Sequence, residues 1–163
     1  MYQIGTLVVY GSSGVCEVRA VEAREGGRCY YTLSPLFGTE VIYAPVDTKV
    51  YMRPVLSRDE AEGLVRHMPA IPAEHVDGQS MQALSRHYQD AFLSHDCRDL
   101  VQLLKTIDAK DSAAVKHGKK PGKIEERFRK RAEDLLYGEL SVALGIDREQ
   151  VPQYIQHTIQ ASS

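Results

Sequence analysis

The hydrophobic pattern of this chain changes its period at Pro54, and this change limits the folds open to it. Before Pro54, short runs rich in Val, Tyr, Ile and Thr alternate with turn-forming residues. Such runs are typical of β-strands, and no helical pattern lies between them. After Pro54, apolar residues recur every three or four positions, which is helical spacing. The sequence therefore predicts a multidomain α+β protein with strands first and helices second.

The N-terminal part is predicted to be a small antiparallel β-barrel. Five short strands leave room only for tight connections, and GSSG (11–14) and EGG (25–27) supply turn chemistry. Pro45 and Pro54 fall at strand ends, where a missing backbone N–H is tolerated. The predicted strands are 6–10, 15–24, 28–35, 40–45 and 49–54.

The C-terminal part is predicted to be a helical bundle. Ser57 and Glu60 have the spacing of a capping box, and Asp96 and Asp147 precede two other helical segments as N-caps. The change of pattern near residues 53–57 places a domain boundary there. The predicted domains are 1–54 and 57–163.

Composition limits the function classes. A net charge of −2 argues against an indiscriminate nucleic-acid binder but permits a local basic patch. No apolar run is long enough to span a bilayer, and the N-terminus lacks the features of a secretory signal. The cysteines, Cys16, Cys29 and Cys97, are odd in number and lack metal-like spacing. We expect a cytoplasmic protein with reduced thiols and no contact with a membrane.

The GSSG segment has two interpretations. A phosphate-binding loop should lead into a helix whose N–H groups face the anion, but the residues that follow, VCEVRAVE, are strand-like. No Lys-Ser/Thr pair follows Gly14. The pattern therefore favours a hairpin connection.

No catalytic or metal-binding constellation is apparent. The six histidines form no zinc spacing with cysteine. SHDC (94–97) groups a His, an Asp and a Cys, but its position favours an N-cap at Asp96. Ser12 and Cys97 lack both a base and an orienting acid. We expect no enzymatic activity, no metal, no cofactor and no small-molecule ligand.

Two segments are candidates for contact with nucleic acid. Residues 116–131 hold eight basic side chains against two acidic ones, and a lysine cluster before a helix can meet phosphates. The alternative is a solvated basic face. Residues 81–92 place Arg86 and His87 beside Leu84. The alternative there is a core face of Leu84, Tyr88 and Phe92, with Arg86 solvated.

Tyrosine is frequent in the predicted barrel. Tyr30 and Tyr31 are adjacent, so their side chains point to opposite faces of a strand. An exposed Tyr on a small barrel favours a protein-binding face, and rim packing is the alternative.

The whole chain resembles the bacterial CarD/CdnL transcription regulators. YQIGTLVVYGSSGVCEVRAVEARE, YYTL and VIYAPVD are similar to their RNA-polymerase-interacting domain, which is shared with the transcription-repair coupling factor. LSRHYQDAFLSHDCRDLVQLLKTI and KIEERFRKRAEDLLYGELSVALGI are similar to helices of their C-terminal domain. The resemblance implies a Tudor-like barrel followed by an all-α domain.

The resemblance also implies partners. The barrel would dock on the RNA polymerase β subunit, partly by strand addition at an exposed edge. The residues matching that surface are Arg24, Val41, Ile42 and Tyr43.

The helical domain would contact promoter DNA at the upstream edge of the transcription bubble. Many family members insert a Trp there, but this chain has none, and Leu84 aligns with that position. Weak binding to free DNA is expected, because docking on polymerase would supply effective concentration. The candidate DNA-contacting residues are Leu84, Arg86, His87, Lys119, Lys120 and Lys123.

The sequence thus predicts a regulator that bridges polymerase and promoter DNA and modulates the stability of the open complex. The alternative is a protein–protein adaptor on polymerase without a DNA wedge, which the missing Trp favours.

Overall fold

The computed structural model describes residues 1–76 and 78–162, and in it a five-stranded antiparallel sheet precedes five α-helices. This order is the predicted α+β architecture and is consistent with a Tudor-like domain followed by a helical region. The strands are β1 (Leu7–Tyr10), β2 (Val15–Ala23), β3 (Cys29–Pro35), β4 (Ile42–Pro45) and β5 (Met52–Pro54). The helices are α1 (Arg58–His67), α2 (Met81–Asp90), α3 (Cys97–Lys116), α4 (Lys123–Leu144) and α5 (Val151–Ser162).

The strands pair in the order β4-β3-β2-β1-β5. All neighbouring pairs are antiparallel. Short connections join β1, β2, β3 and β4 in turn, as antiparallel pairing allows, whereas β5 pairs with β1 across a long separation in sequence. A register shift between Val18 and Ala20 interrupts the β2–β3 ladder, and such a bulge bends a strand and increases its twist. This order leaves β4 and β5 at the two edges of the sheet.

The GSSG segment is the β1–β2 hairpin connection. Residues 11–13 form one 3₁₀ turn, and the Tyr10 N–H donates to the Gly14 carbonyl over 3.0 Å. Gly11 and Gly14 have φ values of 48° and 75°, a region that a glycine enters without the steric penalty of a Cβ. The predicted hairpin is confirmed, and no helix follows the segment.

The β1–β2 hairpin is buried on both faces near its turn. Val8 and Cys16 are paired and belong to the core of the sheet domain, with Val18, Tyr31 and Leu33. Val9 and Val15, also paired, point to the opposite face because strand side chains alternate. With side chains of the helical region, among them Phe92, Leu100 and Leu135, they line a void of about 30 Å³. The continuous apolar run in β1 therefore serves two packing surfaces.

Local capping determines where the helices begin. Ser57 and Glu60 form the predicted capping box of α1, and the Asp96 carboxylate accepts from the Arg98 N–H at the start of α3. Asp147 forms a second capping box with Gln150 ahead of α5. The amphipathic faces of all five helices then bury one apolar cluster, in which Leu136, Leu140 and Leu144 of α4 take part.

An aromatic side chain of the β3–β4 loop reaches the helical region. The ring of Phe37 lies against Gly138 of α4, and a Cβ on that glycine would lie 3.2 Å from Phe37 Cε2. A glycine in a helix interior lowers helix stability, so a close approach of this kind accounts for its presence.

Candidate functional site

The first candidate surface is the free edge of β4. This strand pairs with β3 alone, and Tyr43 lies opposite Thr32 in that ladder. The Tyr43 side chain is 54% exposed, and Val41 just before the strand is equally exposed. Ile42 instead packs partly against the core of the sheet domain. An uncovered edge of this kind presents backbone N–H and C=O groups to another strand.

Arg24 and Tyr43 meet on this edge, although 19 positions separate them in sequence. The Arg24 guanidinium carbon lies 4.2 Å from the centroid of the Tyr43 ring, a distance at which cation–π attraction operates. Arg24 and Arg28 each lie 5.8 Å from the Tyr30 ring. We call Arg24, Arg28, Tyr30 and Tyr43 the arginine–tyrosine cluster.

The neighbouring Tyr31 has a structural role. It is buried in the core of the sheet domain, and its hydroxyl accepts from the backbone N–H of Tyr2 over 2.9 Å. Tyr30 remains half-buried on the outer face. The prediction that adjacent tyrosines point to opposite faces is confirmed.

The second candidate surface is different from the predicted one, because Leu84 is not at the surface. Its side chain is 6% exposed and belongs to the helical core with Tyr88 and Phe92. The spacing i, i+4 and i+8 places these three side chains on one face of α2 and its extension. Leu84 therefore supplies core packing, which corrects its assignment as an apolar DNA wedge.

Other residues of α2 remain accessible. Arg86 is exposed, and the His87 Nε2 lies 3.1 Å from a Glu74 carboxylate oxygen. Met81, in the first turn, is the exposed large apolar side chain of this helix, at 70%. Arg86 and His87 are the two DNA-contacting residues predicted beside Leu84. Among the described residues, Arg86 faces solvent without a carboxylate partner, whereas His87 has Glu74.

The predicted lysines lie on and after the α3–α4 loop. Lys119 and Lys120 are exposed in the loop, and Lys123 is the first residue of α4. Gly118, with φ at 75°, ends the turn that follows α3, where the Lys119 N–H donates to the Ala114 carbonyl. No ion pair within residues 1–76 and 78–162 engages these three ammonium groups.

A buried ion pair joins the sheet to the helices, and the sequence analysis did not predict it. Arg53 of β5 donates to both carboxylate oxygens of Glu139 in α4, over 2.6 and 2.7 Å. Glu139 also accepts from the Leu56 N–H over 3.0 Å, and its side chain is only 4% exposed. The hydrogen bond with Glu139 raises the pKa of Arg53, so the arginine remains charged.

Two residues at the start of α3 complete this network. The Cys97 thiol donates to Glu139 over 3.2 Å, and burial followed by the charge of Glu139 raises the pKa of Cys97. The carbonyl of His95 accepts from Arg53 Nε over 3.0 Å. The His95 ring stacks on Tyr51 with centroids 4.5 Å apart. A protonated thiol that donates to a carboxylate is not an activated nucleophile.

A second buried carboxylate ties three helices together. Glu125 of α4 accepts from the Tyr88 hydroxyl of α2 over 2.8 Å and pairs with Lys110 of α3 over 3.3 Å. Burial, followed by the hydrogen bond to Glu125, raises the pKa of Tyr88. This network holds the start of α4, and therefore the end of the lysine-bearing loop, against the bundle.

The residues that link the two parts give only weak signals in sequence. Gly138 in the YGEL segment of a helix indicates a close approach, but it does not identify Phe37 as the neighbour. Arg53 and Glu139 are 86 positions apart, and each is an ordinary charged residue in its own segment.

The N-terminal part of the chain matches a known protein family. Residues 2–56 match the family model described as the CarD-like/TRCF RID domain, which covers about a third of the chain. No curated protein matches the chain. In the part of the chain that the structure describes, none of the helices combines the length and apolar character needed to cross a membrane.

Proposed function

We propose that the protein is a non-enzymatic transcription regulator that docks on the β subunit of RNA polymerase. Residues 2–56 match the CarD-like/TRCF RID domain, and the helices that follow are consistent with a CarD-like family. The RNA-polymerase-interacting domain supports polymerase as a partner. The observation that carries the docking site is the uncovered β4 edge, where Arg24 lies on the ring of Tyr43.

Strand addition is the mode of binding that this edge supports. Backbone groups of β4 that do not face β3 can pair with a strand of the partner, which supplies affinity. The arginine–tyrosine cluster lies beside that edge, and Arg and Tyr are the side chains that most often dominate binding energy at interfaces. The opposite side of the sheet domain packs on the helices, so β4 can bind without disturbing that packing.

We expect a double variant, Arg24→Glu with Tyr43→Ala, to abolish co-purification with the β subunit. The double variant removes the cation–π pair and replaces the positive charge of Arg24 by a negative charge, which reverses the electrostatic contribution of this position at the interface. Arg19→Glu is the matched control, because Arg19 is exposed on the same sheet and, among the residues that the structure describes, forms an ion pair with Glu17 alone. Association that survives the double variant, or that is lost equally in Arg19→Glu, would show that the docking surface is elsewhere.

We further propose that Lys119, Lys120, Lys123 and Arg86 contact promoter DNA near the upstream edge of the bubble and thereby modulate open-complex stability. All four cations are exposed, and loop-borne lysines suit phosphate contact. The burial of Leu84 favours contact with the backbone over insertion of this side chain between bases.

Substitution of the three lysines by alanine should shorten the open-complex lifetime on a promoter template. A plot of the logarithm of the DNA affinity against the logarithm of the salt concentration has a negative slope. Each lost phosphate contact should also reduce the steepness of that slope by about 0.9. Lys49→Ala, an exposed lysine of the sheet domain, is the control. An unchanged lifetime with polymerase binding retained would argue against DNA contact here.

The burial of Leu84 also favours a second candidate function, an adaptor that binds a protein through the helical region. A photo-crosslinking group at Arg86, assayed in the polymerase–promoter complex, distinguishes the two. Crosslinks to promoter DNA support the bridging regulator, and crosslinks confined to protein support the adaptor.

A further inference from the structure

A cleft lies between the β1–β2 turn and α4, and Lys123 is the residue that it shares with the lysine surface described above. Its volume is about 740 Å³, and its walls are Ser12 and Ser13 of the turn, the β3–β4 loop and the outward face of α4. The half-exposed ring of Phe37 and the side chain of Leu135 form an apolar part of this lining. The cleft is therefore a concave surface to which both parts of the chain contribute.

One row of cations follows the α4 wall. Lys123, Arg127 and Arg131 are spaced by four residues, and Lys130 lies beside them. The row extends about 12 Å along the helix, at 1.5 Å per residue. Within the described ranges 1–76 and 78–162, no carboxylate forms an ion pair with any of these four cations. Arg131 instead lies over the Phe92 ring, 4.1 Å from its centroid.

Carboxylates also line the cleft, and they bear on the nature of the occupant. Asp134 is neutralised by Arg148, but Glu40 and Glu126 have no such partner among the described residues. Acidic side chains beside an apolar floor repel a continuous phosphate backbone. A polypeptide can place its own acids against the cations and an apolar side chain against the floor. An apolar centre surrounded by polar and charged side chains is typical of protein–protein interfaces.

We propose that this cleft binds an acidic peptide segment of a partner protein. The segment lies extended along α4, with its carboxylates facing Arg127, Lys130 and Arg131 and one apolar side chain against Phe37 and Leu135. The length of the row matches about four extended residues, at roughly 3.3 Å each. Arg127, Lys130 and Arg131 belong neither to the β4 edge nor to the proposed DNA contacts, so this surface adds a second protein partner to the proposed regulator.

Fluorescence anisotropy with the full chain tests the proposal. The probe is a short labelled peptide of Asp, Glu and Phe, compared with the same peptide carrying Asn and Gln in place of the acids. We expect the acidic peptide alone to bind, and both Arg127→Glu and Lys130→Glu to lower its affinity about tenfold, through like-charge repulsion. Lys116→Glu, which makes the same change at an exposed lysine outside the cleft, should leave the affinity within about twofold.

Phe37→Ala tests the apolar contact separately. It should weaken binding of the Phe-containing peptide and leave unchanged a peptide with Ser in place of Phe. Equal binding of the acidic and amide peptides, or equal effects of Lys130→Glu and Lys116→Glu, would overturn the proposal. So would a result in which Arg127→Glu lowers affinity for a DNA duplex but not for the peptide. Co-purification with polymerase, measured in parallel, reports on the β4 edge independently.

Discussion

Gly11 and Gly138 are two residues at which this fold depends on a missing side chain. Gly11 has φ at 48°, and a Cβ there would lie 2.8 Å from Val50 Cγ1. Gly138 lies in a helix with ordinary geometry, and its neighbour is the ring of Phe37. The first glycine is required by its backbone conformation and by space, and the second by space alone.

Gly11→Ala should lower the free energy of unfolding by about 2 kcal/mol or more, because the left-handed conformation penalises a Cβ by about 1–2 kcal/mol and the contact with Val50 adds to it. Gly118→Ala is the matched control, since its φ is 75° but a Cβ there would meet nothing. Urea unfolding measures both. Equal losses would mean that Val50 moves aside freely.

At the scale of single elements, helix starts are determined by local hydrogen bonds, and that of α1 is sensitive to pH. The Ser57 N–H donates to the Glu60 carboxylate over 2.9 Å, and the Ser57 hydroxyl accepts from the Glu60 N–H over 3.1 Å. The hydrogen bond from the Ser57 backbone lowers the pKa of Glu60 below its ordinary value of 4.5. The charged carboxylate is therefore the form that the folded state favours.

The pH dependence of Glu60 follows from that direction. Because the pKa of Glu60 is lower in the folded protein, its contribution to stability is complete above about pH 4.5 and is lost as the pH falls through the folded value. We expect Glu60→Gln to be less stable than the wild type at pH 6, and we expect the difference to be smaller at pH 3. Urea unfolding at the two pH values checks this. If the difference in the free energy of unfolding persists unchanged at pH 3, the charge of Glu60 is not its cause.

At the scale of the whole molecule, the contacts that hold the sheet against the helices include three of different kinds. Apolar side chains on the outer face of the β1–β2 hairpin approach those of the bundle, Phe37 lies on Gly138, and Arg53 pairs with Glu139. All three involve β1, β2, β5 or the β3–β4 loop, and none uses the β4 edge. The proposed polymerase-binding edge and the helical region can therefore act on different partners at the same time.

The ion pair between Arg53 and Glu139 should be the most sensitive point of this interface. Glu139→Gln should lower the free energy of unfolding by about 3 kcal/mol, because it leaves a partly buried guanidinium without its counter-charge. Asp134→Asn is the control, since its ion pair with Arg148 is far more exposed than that of Glu139 and should contribute less than about 1 kcal/mol. Similar losses in the two variants would mean that burial does not distinguish the pairs.

The candidate sites were predictable to different degrees. The exposure of Tyr43 and its proximity to Arg24 agree with a docking edge expected from family resemblance, but the cation–π contact requires β2 and β3 to bring position 24 to position 43. For Leu84, residue spacing and alignment disagreed. The spacing with Tyr88 and Phe92 favoured a core face, and the structure agrees with the spacing. Helical periodicity indicates which side chains face the core of the same protein. Alignment assigns a residue the role of its counterpart in another protein, where the neighbouring side chains can differ.

The sequence by itself determined the five strands, the hairpin at GSSG and the starts of α1 and α3, because each depends on residues only a few positions apart. Only the tertiary structure decided that Val9 and Val15 face the helices, that Arg53 meets Glu139, and that the α4 cations line a cleft opposite Ser12 and Ser13. These contacts join positions tens of residues apart. They form only when packing of the two apolar clusters brings the sheet and the helices together, and no local pattern encodes that arrangement.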